Sequence, residues 1–254
     1  IMSPETCGRD RQVWTGMRFS NALTTSHRHL LTAMLYGLSV FPVLSEPSPC
    51  PDQMFKVDAT DEGMARQLCT MATEIRRQLE SCGMRQSRAL TIEITDNVRH
   101  PHANCLAYFD CQYDLVRISD PSTWDLLLKQ DEAYGSLPAD VTLRALLTHE
   151  LAHALMAQIA GERDVPMVDQ EYVAAAMELE LMEETWRGVL LDRAAVELPP
   201  KEGLIDLWIY GFVPRKFAVN AWQHFRLPEN GCSLVQKIAV GDISFAKSAR
   251  PELR

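Results

Sequence analysis

The first half of the chain contains short segments in which apolar and polar residues alternate, the pattern of half-buried β-strands. In one such segment Leu90, Ile92 and Ile94 lie on the same face. A helix is expected before this strand, with Asp61 as its N-cap and Gly83 directly after its last turn. The predicted strands are 54–59, 89–95, 106–109 and 115–119, and the last two form a hairpin.

From residue 121 onwards the apolar residues recur at helical spacing. The most regular segment is 141–159, for which Asp140 is a candidate N-cap and Gly161 a candidate stop. Because strands with one helix come first and helices follow, the pattern predicts an α+β fold. A single domain is expected at 46–254, with a small N-terminal sheet and a helical C-terminal lobe from residue 161. The other predicted helices are 121–130, 169–184, 186–195, 204–210, 214–225 and 233–240.

The helix predicted at 141–159 contains the sequence HELAH at residues 149–153. Two histidines four positions apart on a helix are separated by about 40° around its axis and by one turn along it, so both imidazoles can ligate one ion. Glu150 then points to one side of that ion, where a carboxylate can take a proton from water. This is the H-E-x-x-H signature of zinc peptidases. The alternative is an exposed histidine pair on a solvated helix, but the segment holds few other charges.

A catalytic zinc site usually has a third protein ligand. Glu171 lies on the next predicted helix, and Glu178 falls on roughly the same face two turns later. An acid near a helix N-terminus is also favoured by the helix dipole alone, which is the alternative for Glu171. The acidic candidates for the third ligand are Asp164, Asp169, Glu171, Glu178 and Glu180.

The HELAH sequence, followed by Glu171 in EYVAA, resembles the gluzincin group of zinc peptidases, which includes thermolysin-like and aminopeptidase-like enzymes. The resemblance implies a zincin-like fold in which His149, His153 and Glu171 hold Zn²⁺ and Glu150 is the general base. Thermolysin-like enzymes also place an acid four residues after the third ligand, where it orients a histidine. Ala175 occupies that position here. The chain also loosely resembles an uncharacterised family of exported bacterial proteins.

Such an enzyme needs a hydrogen-bond donor for the oxyanion that forms during hydrolysis. Similar enzymes take a histidine or tyrosine from the C-terminal helical lobe, and Tyr210 and His224 are the candidates here. The alternative for His224 is an ordinary core or surface histidine. The strand hairpin at 106–119 is a candidate edge for an extended substrate.

An apolar stretch at 30–44 has the length of a secretory signal core and is too short to span a membrane comfortably. Arg18 and Arg28 precede it, and cleavage is expected after Ser45. We therefore expect residues 1–45 to be an upstream extension and a signal peptide, with no membrane span left after cleavage. The alternative is a buried helix, against which the following prolines argue.

The cysteines agree with export to the periplasm or the medium. Apart from Cys7 in the predicted leader, their number is even, as in proteins of oxidising compartments. The spacing favours a Cys105–Cys111 bridge, although connectivity is not deducible from sequence and free buried thiols are an alternative. A cysteine metal site is disfavoured because no C-x-x-C motif is present. The six cysteines are Cys50, Cys69, Cys82, Cys105, Cys111 and Cys232.

The charge balance excludes two classes of partner. The chain has 25 basic and 34 acidic residues, a net charge of −9. Residues 46–254 keep 21 basic and 32 acidic residues, about −11. This balance repels nucleic-acid phosphates and offers no polybasic patch for anionic lipids.

Together these observations predict an exported zinc-dependent hydrolase, a peptidase whose partner is a peptide or protein substrate. One alternative is a non-catalytic zincin-fold binding protein of the cell envelope, with a structural zinc or none. A second is a zinc hydrolase that acts on a non-peptide amide. The sequence carries no sign of the oligomeric state.

Overall fold

A computed structural model describes residues 47–96, 98–100, 103–128 and 134–246. These residues form an α+β fold with one mixed five-stranded sheet. The predicted leader and its cleavage site lie outside the described residues. No helix within the described ranges has the length and apolar character needed to cross a membrane.

The five-stranded sheet is built in the order β1-β2-β3-β7-β6, so that β6 forms one edge. The pairs β2–β3 and β3–β7 are parallel, and the β6–β7 hairpin is antiparallel, as predicted. Two further strands, β4 and β5, form a separate antiparallel pair. The strands are β1 Ser48–Pro49, β2 Phe55–Asp58, β3 Leu90–Thr95, β4 Val98–His100, β5 Ala103–Cys105, β6 Ala107–Asp110 and β7 Leu115–Ser119.

The parallel strands β2 and β3 are joined by helix α1, Glu62–Ser81. The predicted cap is confirmed: Asp61 accepts a hydrogen bond from the backbone N–H of Met64 at 2.7 Å. Gly83 follows the helix with φ +86°, which glycine adopts without steric cost. The buried face of α1 packs on β2 and on the helix that carries HELAH.

The remaining helices follow in the predicted order with some different bounds. The helix predicted at 121–130 is only a 3-10 turn and one α-helical turn, because Leu128 is already extended. The predicted N-cap Asp140 is wrong: Pro138 precedes the helix, and Asp140 lies in its first turn. The helices are α2 Trp124–Leu127, α3 Ala139–Ala160, α4 Met167–Glu180, α5 Glu184–Ala194, α6 Leu207–Phe212, α7 Pro214–Phe225 and α8 Gly231–Val240.

Helix α3 lies in the centre of the core. It contacts α1, β6 and β7 as well as α4 and α8, so the helix is covered on several sides. Leu147, Leu151 and Leu155 have no exposed surface. Polar side chains on this helix are therefore also removed from solvent, and they include those of the candidate site.

Two disulfides bind α1 to the rest of the domain. Cys50–Cys69 joins it to the segment between β1 and β2, and Cys82–Cys232 joins its end to α8. The predicted Cys105–Cys111 bridge is wrong, because Cys105 is a buried thiol. The four residues of β6 lie between the two cysteines and span about 13 Å at the usual rise of a strand. A disulfide requires α-carbons closer than about 7 Å.

Candidate metal centre

Three side chains from two neighbouring helices converge in the core. His149 and His153 of α3 and Glu171 of α4 each offer a ligand atom, and these atoms all lie within 4.8 Å of one another. The Nε2 atom of His149 is 3.5 Å from Oε2 of Glu171, and Nε2 of His153 is 3.6 Å from Oε1. All three residues are buried. The sequence-predicted ligands are thus brought together.

The convergence follows from local features of the chain. HELAH lies within an unbroken helix, so the two imidazoles project one turn apart from the same face. Gly161 ends α3 with φ +62°, and α4 begins at Met167 and packs closely on α3. Because α4 starts two residues earlier than predicted, Glu171 lies in its second turn and is fully buried.

The donor set fits a zinc ion. Among the described residues, neither ring nitrogen of His153 and neither carboxylate oxygen of Glu171 makes a well-formed hydrogen bond. A buried polar atom left unsatisfied costs about 1–3 kcal/mol, so four such atoms together need an explanation. Two ligands of a tetrahedral zinc, each about 2.0–2.1 Å from the ion, lie about 3.3 Å apart. The measured nitrogen–oxygen distances are close to that value.

The protonation states of His153 and Glu171 also favour metal binding. Burial by itself lowers the pKa of His149, but Glu171 and Glu178 hold it well above its ordinary value, so an ion would displace a proton from this imidazole. Burial lowers the pKa of His153 to about 4, which keeps its imidazole neutral. Burial by itself raises the pKa of Glu171, but the two imidazoles and the nearby hydroxyl of Tyr210 lower it overall. A neutral imidazole and an ionised carboxylate are the ligating forms of these groups.

Glu178 orients His149 from the side opposite Glu171. Its Oε2 atom accepts a hydrogen bond from Nδ1 of His149 at 2.9 Å, and its Oε1 atom accepts one from the hydroxyl of Tyr134 at 2.6 Å. This arrangement leaves Nε2 of His149 directed at Glu171. Burial and the charge of Glu178 hold the pKa of Tyr134 well above its ordinary value, so its hydroxyl remains a donor.

The sequence did not predict that Glu178 orients a histidine. In thermolysin-like enzymes the orienting acid lies four residues after the third ligand, and Ala175 occupies that position here. The acid is present almost one turn later on α4. Glu178 lies seven residues after Glu171 and therefore on the same face of α4, and this spacing was the feature of the sequence that could have indicated its role. Spacing alone does not distinguish a ligand from a residue that orients a ligand.

Glu150 lies beside the three candidate ligands and is buried. Burial raises its pKa to about 7, an effect that the charge of His149 and the nearby backbone N–H of Phe109 in β6 partly oppose. A carboxylate with a pKa near the working pH is suited to general-base catalysis. The candidate base therefore lies between the HELAH helix and the edge strand of the sheet.

A cavity of about 610 Å³ opens beside His149. Its wall includes Tyr210 of α6, one of the two predicted oxyanion donors. His224, the other candidate, is not among the described residues that line it. Its Nδ1 atom lies 3.0 Å from the hydroxyl of Tyr172 and 3.3 Å from Nδ2 of Asn230. His224 follows Phe217, a wall residue, by two turns of α7, which carries it about 10 Å along the axis.

Comparisons with known proteins give a family but no described relative. No curated protein and no solved structure matches the chain. A family profile described as "Family of unknown function (DUF6639)" matches residues 55–248. The match begins at β2 and includes the HELAH sequence, Glu171 and Glu178. The chain therefore belongs to the DUF6639 family.

Proposed function

We propose that this protein is an exported, zincin-like, zinc-dependent peptidase. The observation that carries the proposal is the convergence of three buried side chains, His149, His153 and Glu171, next to Glu150. Among the described residues, the side-chain polar atoms of His153 and Glu171 have no hydrogen-bond partner. A solvated histidine pair on a surface helix does not account for it. The orientation of His149 by Glu178 supports the same reading, since metal-bound histidines usually donate their second ring N–H to such a partner.

The reaction assigned to this site is hydrolysis of an amide. His149, His153 and Glu171 would hold a Zn²⁺ ion, which would lower the pKa of a water molecule towards neutrality and polarise a substrate carbonyl group. Glu150 accepts the proton of the attacking water and returns it to the leaving amine. The hydroxyl of Tyr210 donates a hydrogen bond to the developing oxyanion from the cavity wall.

The edge of the sheet supports a peptide substrate. β6 is an edge strand that pairs with β7 on one side, so no strand of the described sheet covers its other side. Phe109 of this strand is also the residue whose N–H contacts Glu150. A peptide paired with β6 would therefore pass close to the candidate base.

The proposed export rests on the predicted signal peptide and is supported by the disulfides. Disulfides such as Cys50–Cys69 and Cys82–Cys232 persist in oxidising compartments, whereas disulfides are rare in cytosolic proteins.

The test combines metal analysis with a cleavage assay on the oxidised protein. The wild type is expected to contain about one zinc per chain and to cleave unfolded casein. The Glu150→Gln variant should keep the zinc and lose turnover, because the amide cannot accept the proton. Glu62→Gln, on the exposed end of α1 where Glu62 pairs with Arg66, is the matched control and should behave as the wild type.

Three outcomes argue against the proposal. If the wild type binds no stoichiometric metal, the proposed metal site is wrong. If Glu150→Gln is fully active, Glu150 is not the general base. Zinc without turnover of any peptide favours the alternatives, a binding protein of the cell envelope or a hydrolase of non-peptide amides.

A further inference from the structure

The last described residues, 244–246, lie against helix α4. The hydroxyl of Ser244 donates a hydrogen bond to Oδ2 of the buried Asp169 at 2.6 Å, and the backbone N–H of Phe245 donates one to Oδ1 at 2.7 Å. The Oγ atom of Ser244 also accepts a hydrogen bond from the backbone N–H of Ala246 at 3.0 Å, which fixes the local turn. We call residues 244–246 the C-terminal clamp.

The aromatic ring of Phe245 makes a second contact with α4. Its centroid lies 4.6 Å from the ring of Tyr172 and 5.6 Å from the ring of His224. The hydroxyl of Tyr172 in turn lies 3.0 Å from Nδ1 of His224. A pair of aromatic rings at such a distance stabilises a contact beyond the apolar area that it buries. The clamp is therefore attached to α4 through both Asp169 and Tyr172.

These two contacts lie on the side of α4 that is turned away from the candidate metal centre. At about 100° per residue, Asp169 and Tyr172 are displaced by about 160° and 100° around the helix axis from Glu171. The carboxylate of Glu171 faces the histidines of α3. This part of α4 is therefore held between α3 on one side and the clamp on the other.

The start of α4 lacks a side-chain cap, because Pro166 occupies the N-cap position. Gln170 contributes one hydrogen bond, from its side-chain amide to the carbonyl of Val165 at 2.7 Å. The other end of the helix is held by Arg187, which donates hydrogen bonds to three carbonyl groups there. Glu171 is the fifth residue of α4 and so lies near the uncapped end, where helices open more readily than at their centres.

We propose that the C-terminal clamp positions Glu171 as a metal ligand by holding the start of α4. The inference rests on the proposed function and assigns Ser244, Phe245 and Asp169 as positioning residues of that site. Without the clamp, the first two turns of α4 would open more often, and the carboxylate of Glu171 would spend less time within reach of the ion. A site binds its ion more weakly when the groups that order a ligand are lost.

Two matched variants test this inference through zinc affinity, measured by competition with a chelator. Ser244→Ala deletes a hydroxyl that donates to the carboxylate of Asp169, and Thr73→Val deletes one that donates to Asp52 at 2.8 Å beside α1. Ser244→Ala/Phe245→Ala should bind zinc about tenfold more weakly, and Ser244→Ala alone by a smaller factor. Thr73→Val should bind zinc as the wild type does, and Ser244→Thr, which keeps the hydroxyl, should retain the affinity.

Hydrogen exchange in the presence of a chelator provides a measurement that needs no metal. The backbone amides of residues 170–173 should exchange faster in Ser244→Ala/Phe245→Ala than in the wild type, whereas those of α1 should not change. A general loss of stability would accelerate exchange in α1 as well, so the comparison separates local positioning from a folding defect.

The two measurements distinguish failure of this inference from failure of the proposed function. Unchanged exchange in α4, equal acceleration in α1 and α4, or faster exchange with unchanged zinc affinity overturns the inference. If the wild type binds no zinc, the proposed function fails, and exchange alone decides whether the clamp holds α4. If zinc binds and responds to the clamp but no peptide is cleaved, only the proposed peptidase activity is contradicted.

Discussion

Glu178 connects a candidate ligand to the surrounding core. It is a carboxylate that contacts no metal position itself, yet it determines which nitrogen of His149 faces Glu171. Tyr134 in turn holds Glu178 through the short hydrogen bond to its other oxygen. A substitution of Glu178 should therefore change the affinity of the site for a metal ion without removing a ligand.

The Glu178→Gln variant should bind zinc roughly 10- to 100-fold more weakly, because the amide is a poorer acceptor for the N–H of His149. Competition with a fluorescent chelator measures the affinity. Glu180→Gln is the matched control, since Glu180 lies on the same helix but binds Trp222 and Arg226. Equal affinities of the wild type and Glu178→Gln would show that the contact does not position His149.

Tyr210→Phe should lower kcat by about 100- to 1,000-fold with little change in KM, the cost of losing one donor to the oxyanion. The phenyl ring preserves the wall of the cavity. Zinc content should remain stoichiometric, which distinguishes this effect from loss of the metal. Tyr113→Phe, at an exposed position, is the control. A wild-type kcat in Tyr210→Phe would leave the oxyanion donor unassigned among the described residues.

Helix α1 and helix α8 are far apart in sequence but covalently joined. The Cys82–Cys232 bridge closes a segment with a sequence separation of 150, whereas Cys50–Cys69 closes one of only 19. The two segments do not overlap, so their effects can be compared directly. Both bridges also hold α1 against the core that surrounds α3.

Replacing Cys82 and Cys232 with alanine should cost about 5 kcal/mol of unfolding free energy, against about 3 kcal/mol for the same change at Cys50 and Cys69. The difference arises because a longer closed loop restricts the unfolded chain more strongly. Urea denaturation of the two double variants provides the measurement. A larger loss for the Cys50–Cys69 pair would contradict this chain-entropy explanation.

The proposed metal site takes its ligands from both α3 and α4, so its occupancy by an ion should be linked to the stability of the folded domain. The three candidate ligands, carried by two helices, converge only in the native state, and the unsatisfied atoms of His153 and Glu171 weaken that state when no ion is bound. Binding to the native state alone stabilises it in proportion to the logarithm of the metal concentration.

Adding zinc at 1,000 times its Kd should raise the unfolding free energy by about 4 kcal/mol, and a chelator should reverse the increase. Thermal unfolding with and without zinc measures this shift. His153→Ala is the control, because it removes a ligand and should abolish most of the response. A wild-type Tm that does not change with zinc or chelator would exclude a metal centre at these residues.

Local spacing predicted a large part of this molecule. The α+β order, the β6–β7 hairpin, the Asp61 cap and the bounds of α7 all depend on neighbouring residues, and these predictions are confirmed. Helical geometry likewise required His149 and His153 to share a face. Each of these features involves residues close in the chain, where side-chain periodicity and backbone preferences decide the outcome.

Other features depended on the three-dimensional arrangement of distant segments. Spacing placed Glu171 and Glu178 on the same side of α4. Only the packing of α4 on α3 directs Glu171 at the two histidines and lets Glu178 orient His149. Distance likewise excluded the Cys105–Cys111 bridge and left His224 away from the cavity. The spacing of apolar residues indicates which face of a helix is buried. It does not indicate which element covers that face, because many arrangements of helices bury the same apolar surface.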